Sequence, residues 1–470
     1  MRLTKIIATI GPACSSAEII RAMIAGGLDV ARLNFSYGTH DEHLAALKAI
    51  RAAARELRRP VAIMQDLCGP KIRVGELKAP SVELRTGNTI RIQKAAIAGN
   101  EKVISCTYPQ MADDVQIGGR ILINDGLIEL KAVGKTKDYL ECSIVAGGML
   151  MPHKGINLPG VKVSAPTLTP KDRKDLEWGV EQKVDYMALS FVRRADDMGE
   201  LKEILRSRGA DIHTVAKIEK PEAIEHIEKI IKVADAVMVA RGDLGVEMRV
   251  EEVPSLQKRL IKLCTKFNKP VIVATQMLES MIENAYPTRA EVSDIANAIL
   301  DGTDAVMLSG ETSVGKYPLK ALAMMAHVAE RTEESIRDLA SGEPRLEIGD
   351  TRDFGDIIAD AVANLVPRLG VRIVMGFTAS GKSARLLSKR RLPVPILGTA
   401  TSEAVVRKMC LYRGVAPHLI EQFTDSERMF SRGAELAVQT GLAAKGDTVV
   451  FVAGVPLGTG ATNSMRLERL

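Results

Sequence analysis

The sequence predicts an α/β protein: a (β/α)8 TIM barrel with an inserted small β-barrel lid domain and a C-terminal doubly wound α/β domain. Three observations lead there. Eight short β-branched runs alternate with longer stretches of helical periodicity, the pattern of a parallel sheet closed by crossover helices. Between the third run and the next helix, over residues 71–165, the texture changes to short strands and turns. After residue 342 a second, smaller α/β alternation begins.

In chain order, the eight runs are "KIIATIG" (5–11), "DVARLNF" (29–35), "VAIMQD" (61–66), "DYMALSF" (185–191), "TVAKIE" (214–219), "AVMVARGD" (236–243), "PVIVATQM" (270–277) and "AVMLSGE" (305–311). Helical segments with apolar i, i+3, i+4 spacing lie between them, for example 41–58, 221–232 and 291–300. In the insertion, "VELRTGNTIRIQ", "GGRILINDGLIEL" and "DYLECSIVAGG" read as antiparallel strands joined by Gly/Asn/Asp turns. The helix after it opens at "TPKD", with Thr169 as N-cap and Pro170 at the first helical position. Taking 1–70 and 166–341 as the barrel, 71–165 as the lid and 342–470 as the last domain leaves the barrel close to the usual size of about 250 residues. In the last domain "RIVMGFT", "VPILGTA" and "DTVVFVAG" alternate with helices at 354–366, 381–391, 402–412 and 426–441.

Composition excludes several classes. The 470 residues are 46% hydrophobic, enough for two or three domains. Six scattered cysteines, with no CxxC pair, suit reduced thiols in a cytoplasmic protein. No stretch approaches a membrane span, and the first residues read as a strand rather than a signal peptide. A net charge of +6 dispersed along helices suits small anionic substrates; basic clusters interleaved with aromatics, the mark of nucleic-acid binding, are absent.

Barrel enzymes carry their chemistry at the C-terminal ends of strands, and there polar residues interrupt the apolar runs. Strand two ends with Arg32, Asn34 and Ser36, strand three with Asp66, and strand six with Arg241, Gly242 and Asp243; strand seven carries Thr275, and strand eight ends at Ser309, Gly310 and Glu311. Strand five sets Lys217 and Glu219 two residues apart, so both side chains face one side. Each residue alone is better explained as structural, since buried ion pairs and core hydroxyls are common. Six strand ends of this kind together describe a site for a divalent cation and an anionic substrate. Mg²⁺ takes one or two carboxylates and fills its octahedron with water and substrate oxygens, which suits Glu219 and Asp243. Lys217 and Arg32 would neutralise charge on a phosphoryl group in transfer, under a lid that excludes water.

The motifs "TKIIATIGPA", "ARLNFSYGTH", "DLCGPKIR", "KGINLPG", "AKIEKPEAI", "MVARGDLGVE", "ATQMLESMI", "PTRAEVSDIANAILDGTDAVMLSGET" and "YPLKALAMM" follow in this order over essentially the whole chain. Together they closely resemble the pyruvate kinase family. The resemblance implies transfer of the phosphoryl group of phosphoenolpyruvate to ADP, giving pyruvate and ATP, with Mg²⁺ or Mn²⁺, in a homotetramer. It makes Glu219 and Asp243 metal ligands, and Arg32 and Lys217 phosphoryl-holding groups. The backbone at Gly242 and Asp243 becomes the carboxylate site, Thr275 part of the proton relay, and Asn34, Arg73 and Lys154 nucleotide contacts.

Two departures stand out. Many members hold K⁺ with residues matching Asn34, Ser36, Asp66 and the backbone at Leu67, and carry glutamate in "GPEIR". Lys71 stands there instead, which predicts that K⁺ is not required, an ammonium supplying the charge. Tyr37 replaces the usual His of "NFSHG", which the family uses as a nucleotide contact. A relative that binds phosphoenolpyruvate without phosphorylating ADP is the alternative, and the intact Lys217, Glu219, Asp243 and Thr275 argue against it.

In the last domain "GFTASGKS", 376–383, satisfies the P-loop pattern between a strand and a helix. Neither "VPILGTA" nor "VVFVAG" ends in an acidic residue for Mg²⁺, which weakens the reading as a nucleotide hydrolase. The backbone with Thr378, Ser380, Gly381, Lys382 and Ser383 instead forms an anion nest at a helix start. It matches the family's loop for a phosphorylated allosteric effector, which the segment 456–466 would cover.

Overall fold

The computed structural model describes residues 1–339, 353–455 and 462–470. The expected junction at residues 341–342 and most of the expected effector-covering segment 456–466 lie outside them.

Eight parallel strands close into a barrel: Lys5–Ile10, Val30–Asn34, Ala62–Asp66, Tyr186–Leu189, His213–Ile218, Ala236–Ala240, Val271–Ala274 and Ala305–Leu308, taken below as barrel strands one to eight. Each pairs with its neighbour in sequence, and Lys5 opposite Ala305 closes the ring. Alternation along each strand sorts the core. On strand five Ala216 and Ile218 pack outward against the helices, while Val215 belongs to the interior layer with Ile7, Met64, Met238 and Ile272. Lys217 and Glu219, in step with Val215, therefore face inward.

Helix starts follow the chemistry of the caps. Thr39, Thr169 and Thr288 each open a helix with a reciprocal capping box to Glu42, Asp172 and Glu291. The single helix expected over 221–232 is two pieces, Pro221–Glu225 and Ile227–Val233, broken at His226.

The insertion folds round its own apolar core, which includes Ile90, Ile104, Leu130 and Leu140. It has a six-stranded and a two-stranded sheet, antiparallel except where Thr89–Gln93 runs parallel to Val103–Ser105.

The last sheet has five strands, two more than the sequence reading counted. Val415–Leu419 lies at one edge and Ser464–Arg469, antiparallel, at the other. Pro417 in the first, and Arg466, Glu468 and Arg469 in the second, break the apolar pattern, as edge strands tolerate. The helix expected over 402–412 is Glu403–Lys408 followed by a 3₁₀ turn, Met409–Leu411.

One repeated device organises the N-terminal rim of the barrel. Asp29, Asp185, Asp235 and Asp304 each stand one residue before an even-numbered strand. Each accepts, through Oδ2, an amide of the preceding odd-numbered strand, from Ile6, Ile63, Thr214 and Val271, at 2.8 to 2.9 Å. Each also faces a cation. Arg2 lies 2.7 Å from Asp29, Arg51 and Arg407 each 2.7 Å from Asp185, Lys202 2.8 Å from Asp235 and Lys389 2.6 Å from Asp304. Arg407 and Lys389 come from helices of the last domain, so its docking closes the barrel floor.

Candidate active site

At the opposite rim, inward-facing residues of several strands converge on Lys217. Its Nζ is 2.8 Å from Glu219 Oε1 and 3.2 Å from Asp66 Oδ1, and donates to Ser190 Oγ at 2.7 Å. Arg32 completes the group, donating from Nε to Asp66 Oδ2 at 2.7 Å and from NH1 to Thr9 Oγ1 at 2.8 Å. Glu219 accepts the Phe191 amide at 2.8 Å through its other oxygen. All of these carboxylates and cations are buried.

Burial works against charge on Lys217, but Asp66 and Glu219 outweigh it and raise its pKa. Burial likewise pushes Asp66 up, and Lys217 with Arg32 reverses the effect, so its carboxyl stays below the usual range. Asp243 behaves differently. Burial, and then the negative charge of Glu219, push it up to about 6 against the opposing pull of Lys217 and Lys71. Two carboxylates whose charges oppose each other, one of them in no ion pair among the described residues, form a donor set that a divalent cation relieves, so the residues fit Mg²⁺ or Mn²⁺.

Thr275 sits at φ +71°, an outlier for a β-branched residue, and Gln276 follows at +56°. The twist lets Thr275 Oγ1 accept the Gly242 amide at 2.7 Å while donating to the Ala274 carbonyl at 2.6 Å. A Cβ on Gly242 would come within 3.3 Å of that hydroxyl, so glycine keeps the approach close. Strain of this kind gathers at functional sites.

The lid's two connecting segments bring Arg73 and Lys154 together: the Val74 amide donates to the Lys154 carbonyl at 2.9 Å, and Arg73 forms an isolated bridge with Gly155. Between lid and barrel lies a cleft lined by Lys71, Asp125, Asn157, Lys220, Asp243 and Glu247, among others. Lid residue Asn157 and barrel residue Lys220 both bond Glu247, at 3.0 and 2.6 Å. Asn34 Oδ1 accepts the Ser36 amide at 3.2 Å, and the Leu67 carbonyl accepts the Ser190 hydroxyl at 2.7 Å.

Ser190 and Thr9 join the group without having been expected from the sequence. Both were in plain view as the polar residues within "DYMALSF" and "KIIATIG", at the ends of strands four and one. Glu311, counted at the end of strand eight, is turned to structure: its oxygens accept the Leu278 amide at 3.0 Å and the Ser309 amide at 2.6 Å. Arg241 likewise is committed to Asp294 at 2.7 Å and the Thr275 carbonyl at 2.9 Å.

In the last domain Gly381, at φ +85°, precedes the helix Lys382–Lys389, and Thr378 Oγ1 accepts its amide at 2.9 Å. Ser383 is bonded to Thr462, and Lys382 to Asp353. Both side chains that a P-loop would aim at phosphate and metal are thus engaged elsewhere. Thr378, Ser380, Lys382 and Ser383 line a pocket that Glu421, just past the edge strand Val415–Leu419, also enters. Among the described residues no helix is long and apolar enough to cross a membrane.

Comparison with known proteins agrees over the whole chain. A family model described as pyruvate kinase, barrel domain, matches residues 1–322, and one described as pyruvate kinase, alpha/beta domain, matches 356–468. The chain is 45% identical to a pyruvate kinase of Geobacillus stearothermophilus, over 99% of this chain and 80% of that protein. It is 43% identical to one from Staphylococcus aureus strain MRSA252, over 100% of this chain and 80% of that protein. Its fold superimposes on the crystal structure of a pyruvate kinase from Cryptosporidium parvum with a TM-score of 0.92 at 35% identity, covering 100% of this chain and 96% of the other.

Proposed function

The chain belongs to the pyruvate kinase family, and from that premise we propose how its own residues transfer the phosphoryl group of phosphoenolpyruvate to ADP. The observation that carries the proposal is Lys217, inside the barrel between Asp66 and Glu219, with the charge of Glu219 also bearing on Asp243.

Lys217 and Arg32 hold the phosphoryl group and neutralise the charge that spreads over its oxygens. Asp66, bonded to both, fixes where their charges sit. Glu219 and Asp243 hold Mg²⁺ or Mn²⁺, which when bound supplies positive charge to the substrate's oxygens. The backbone at Gly242 and Asp243 receives the substrate carboxylate. Thr275, its hydroxyl held against the Gly242 amide, belongs to the relay that protonates the enol carbon of enolpyruvate. Asn34, Arg73 and Lys154 contact the nucleotide, and the lid, 71–165 in our division of the chain, excludes water from a transfer that must not end in hydrolysis.

Lys71 makes K⁺ unnecessary. In support, it lines the cleft with Asp243 and its charge pulls that carboxyl's pKa down, so an ammonium already acts on the metal-binding face. The C-terminal pocket at Thr378, Ser380, Gly381, Lys382 and Ser383 takes a phosphorylated effector, and the enzyme works as a cytoplasmic homotetramer; both rest on family resemblance.

The test is pyruvate formation from phosphoenolpyruvate and ADP with Mg²⁺, without K⁺ and again with KCl. Strong activity in both buffers is the expected outcome. Activity only with KCl would keep the reaction and remove the role of Lys71. No activity in either, with candidate effectors included, would favour a relative that binds phosphoenolpyruvate only.

A further inference from the structure

The loop after barrel strand two ends in an aromatic ring with a fixed base and a free face. The Tyr37 amide donates to the Asn34 carbonyl at 3.2 Å, and its own carbonyl is 2.9 Å from His43 Nε2. His43 is in turn stacked on Phe35, with ring centroids 4.1 Å apart, and Phe35 packs on Trp178. The backbone is thus tied to a small aromatic core, while the Tyr37 side chain stands outside it, 62% exposed.

What the ring meets is the lid. The Arg73 guanidinium lies over it, 5.5 Å from the centroid. The Arg73 backbone is fixed on both sides by Thr107, at 2.9 Å each, and NH1 donates to the His153 carbonyl at 3.1 Å. Among the described residues Arg73 makes no ion pair. A guanidinium with one carbonyl, one ring face and several unused donors is oriented but unspent, the state in which it can receive phosphate oxygens.

We infer that Tyr37 is a positioning residue for the nucleotide: its ring holds Arg73 in place for the diphosphate, across the junction of barrel and lid. The inference rests on the reading of Arg73 as a nucleotide contact. Tyr37 acts through Arg73 and not on the base, so its contribution is the same whatever base the diphosphate carries. A ring–guanidinium contact at an exposed site is worth about two- to fivefold in affinity.

The test measures binding of Mg·ADP, Mg·GDP and Mg·pyrophosphate to the full chain by calorimetry, together with steady-state kinetics. Tyr37→Leu is expected to weaken all three by the same factor, about two- to fivefold. The loss should appear in KM for ADP rather than in kcat or in KM for phosphoenolpyruvate. Tyr37→Phe, which keeps the ring face, should restore binding, and in an Arg73→Met background Tyr37→Leu should cost nothing more. A loss that differs between ADP and pyrophosphate would overturn the inference, because the ring would then touch the base. So would additive losses, or an unchanged Tyr37→Leu protein beside a weakened Arg73→Met one. If Arg73→Met itself left all three affinities unmoved, the nucleotide role of Arg73 would fail, and the inference with it.

Discussion

The two rims of the barrel use the same residue types to opposite ends. At the N-terminal rim Asp29, Asp185, Asp235 and Asp304 each hold a neighbouring strand's amide and a cation. At the C-terminal rim Asp66 and Glu219 share Lys217, and Asp243, which feels the charges of Glu219 and Lys217, is in no ion pair among the described residues. The titration behaviour follows. Burial opposes charge on Asp29 and Asp235, but Arg2 and Lys5 on the first, and His213 and Lys202 on the second, hold their carboxyls below the usual range. Burial and Glu219 push Asp243 the other way, up to about 6. A carboxylate that holds a strand amide and a cation keeps strands in register, whereas one in no ion pair, as we propose for Asp243, can take a metal.

The contrast can be broken first at the floor. Asp304→Ala leaves Lys389 buried without its partner and the Val271 amide without its acceptor. Denaturant unfolding should show a loss of about 3–5 kcal/mol, with kcat at low temperature little changed. At the other rim Lys217→Met should lower kcat by about 10²–10³-fold. The barrel should still fold, because Arg32 keeps Asp66 and the Phe191 amide keeps Glu219. If Lys217→Met unfolded the chain and Asp304→Ala abolished turnover, the division of labour would be reversed.

Proton linkage sharpens the same contrast. Asp243, with its folded pKa raised, stabilises the metal-free protein fully below about pH 4 and loses that contribution as pH rises through about 6. Over the same range the carboxylate becomes available to metal, so the rise in Tm on adding Mn²⁺ should be larger at pH 7 than at pH 5. Asp243→Asn should flatten that dependence. Asp29 and Asp235 contribute in the opposite sense, stabilising above about pH 4 and losing this as pH falls below it. The smallest stability effect is expected at Thr275→Gly. Relief of the strained φ and loss of the Gly242 hydrogen bond nearly cancel, leaving unfolding within about 1 kcal/mol of the parent while turnover falls.

Much of the barrel was legible because its signals are local. Side chains alternate along a strand, so the spacing alone puts Lys217 and Glu219 on one face, and Val215, in step with them, shows that this face is the interior. Capping threonines marked helix starts for the same reason. Edge strands were not legible: Val415–Leu419 and Ser464–Arg469 pair on one side only, so no alternation had to be kept.

By itself, the sequence determined which side chains face the barrel interior and which chemistry they bring, since both are properties of one strand. Only the tertiary structure decided how each is used. The sequence sets an acidic residue at both Asp243 and Glu311, yet Glu311 receives the Leu278 amide from beyond strand seven besides the nearby Ser309 amide, while Asp243 feels the charge of Glu219 and makes no ion pair among the described residues. The four rim aspartates likewise precede apolar runs in plain view, but their amide partners lie on the neighbouring strand and two of their cations in another domain. A carboxylate's role is fixed by the donors around it, and most of those donors come from distant parts of the chain.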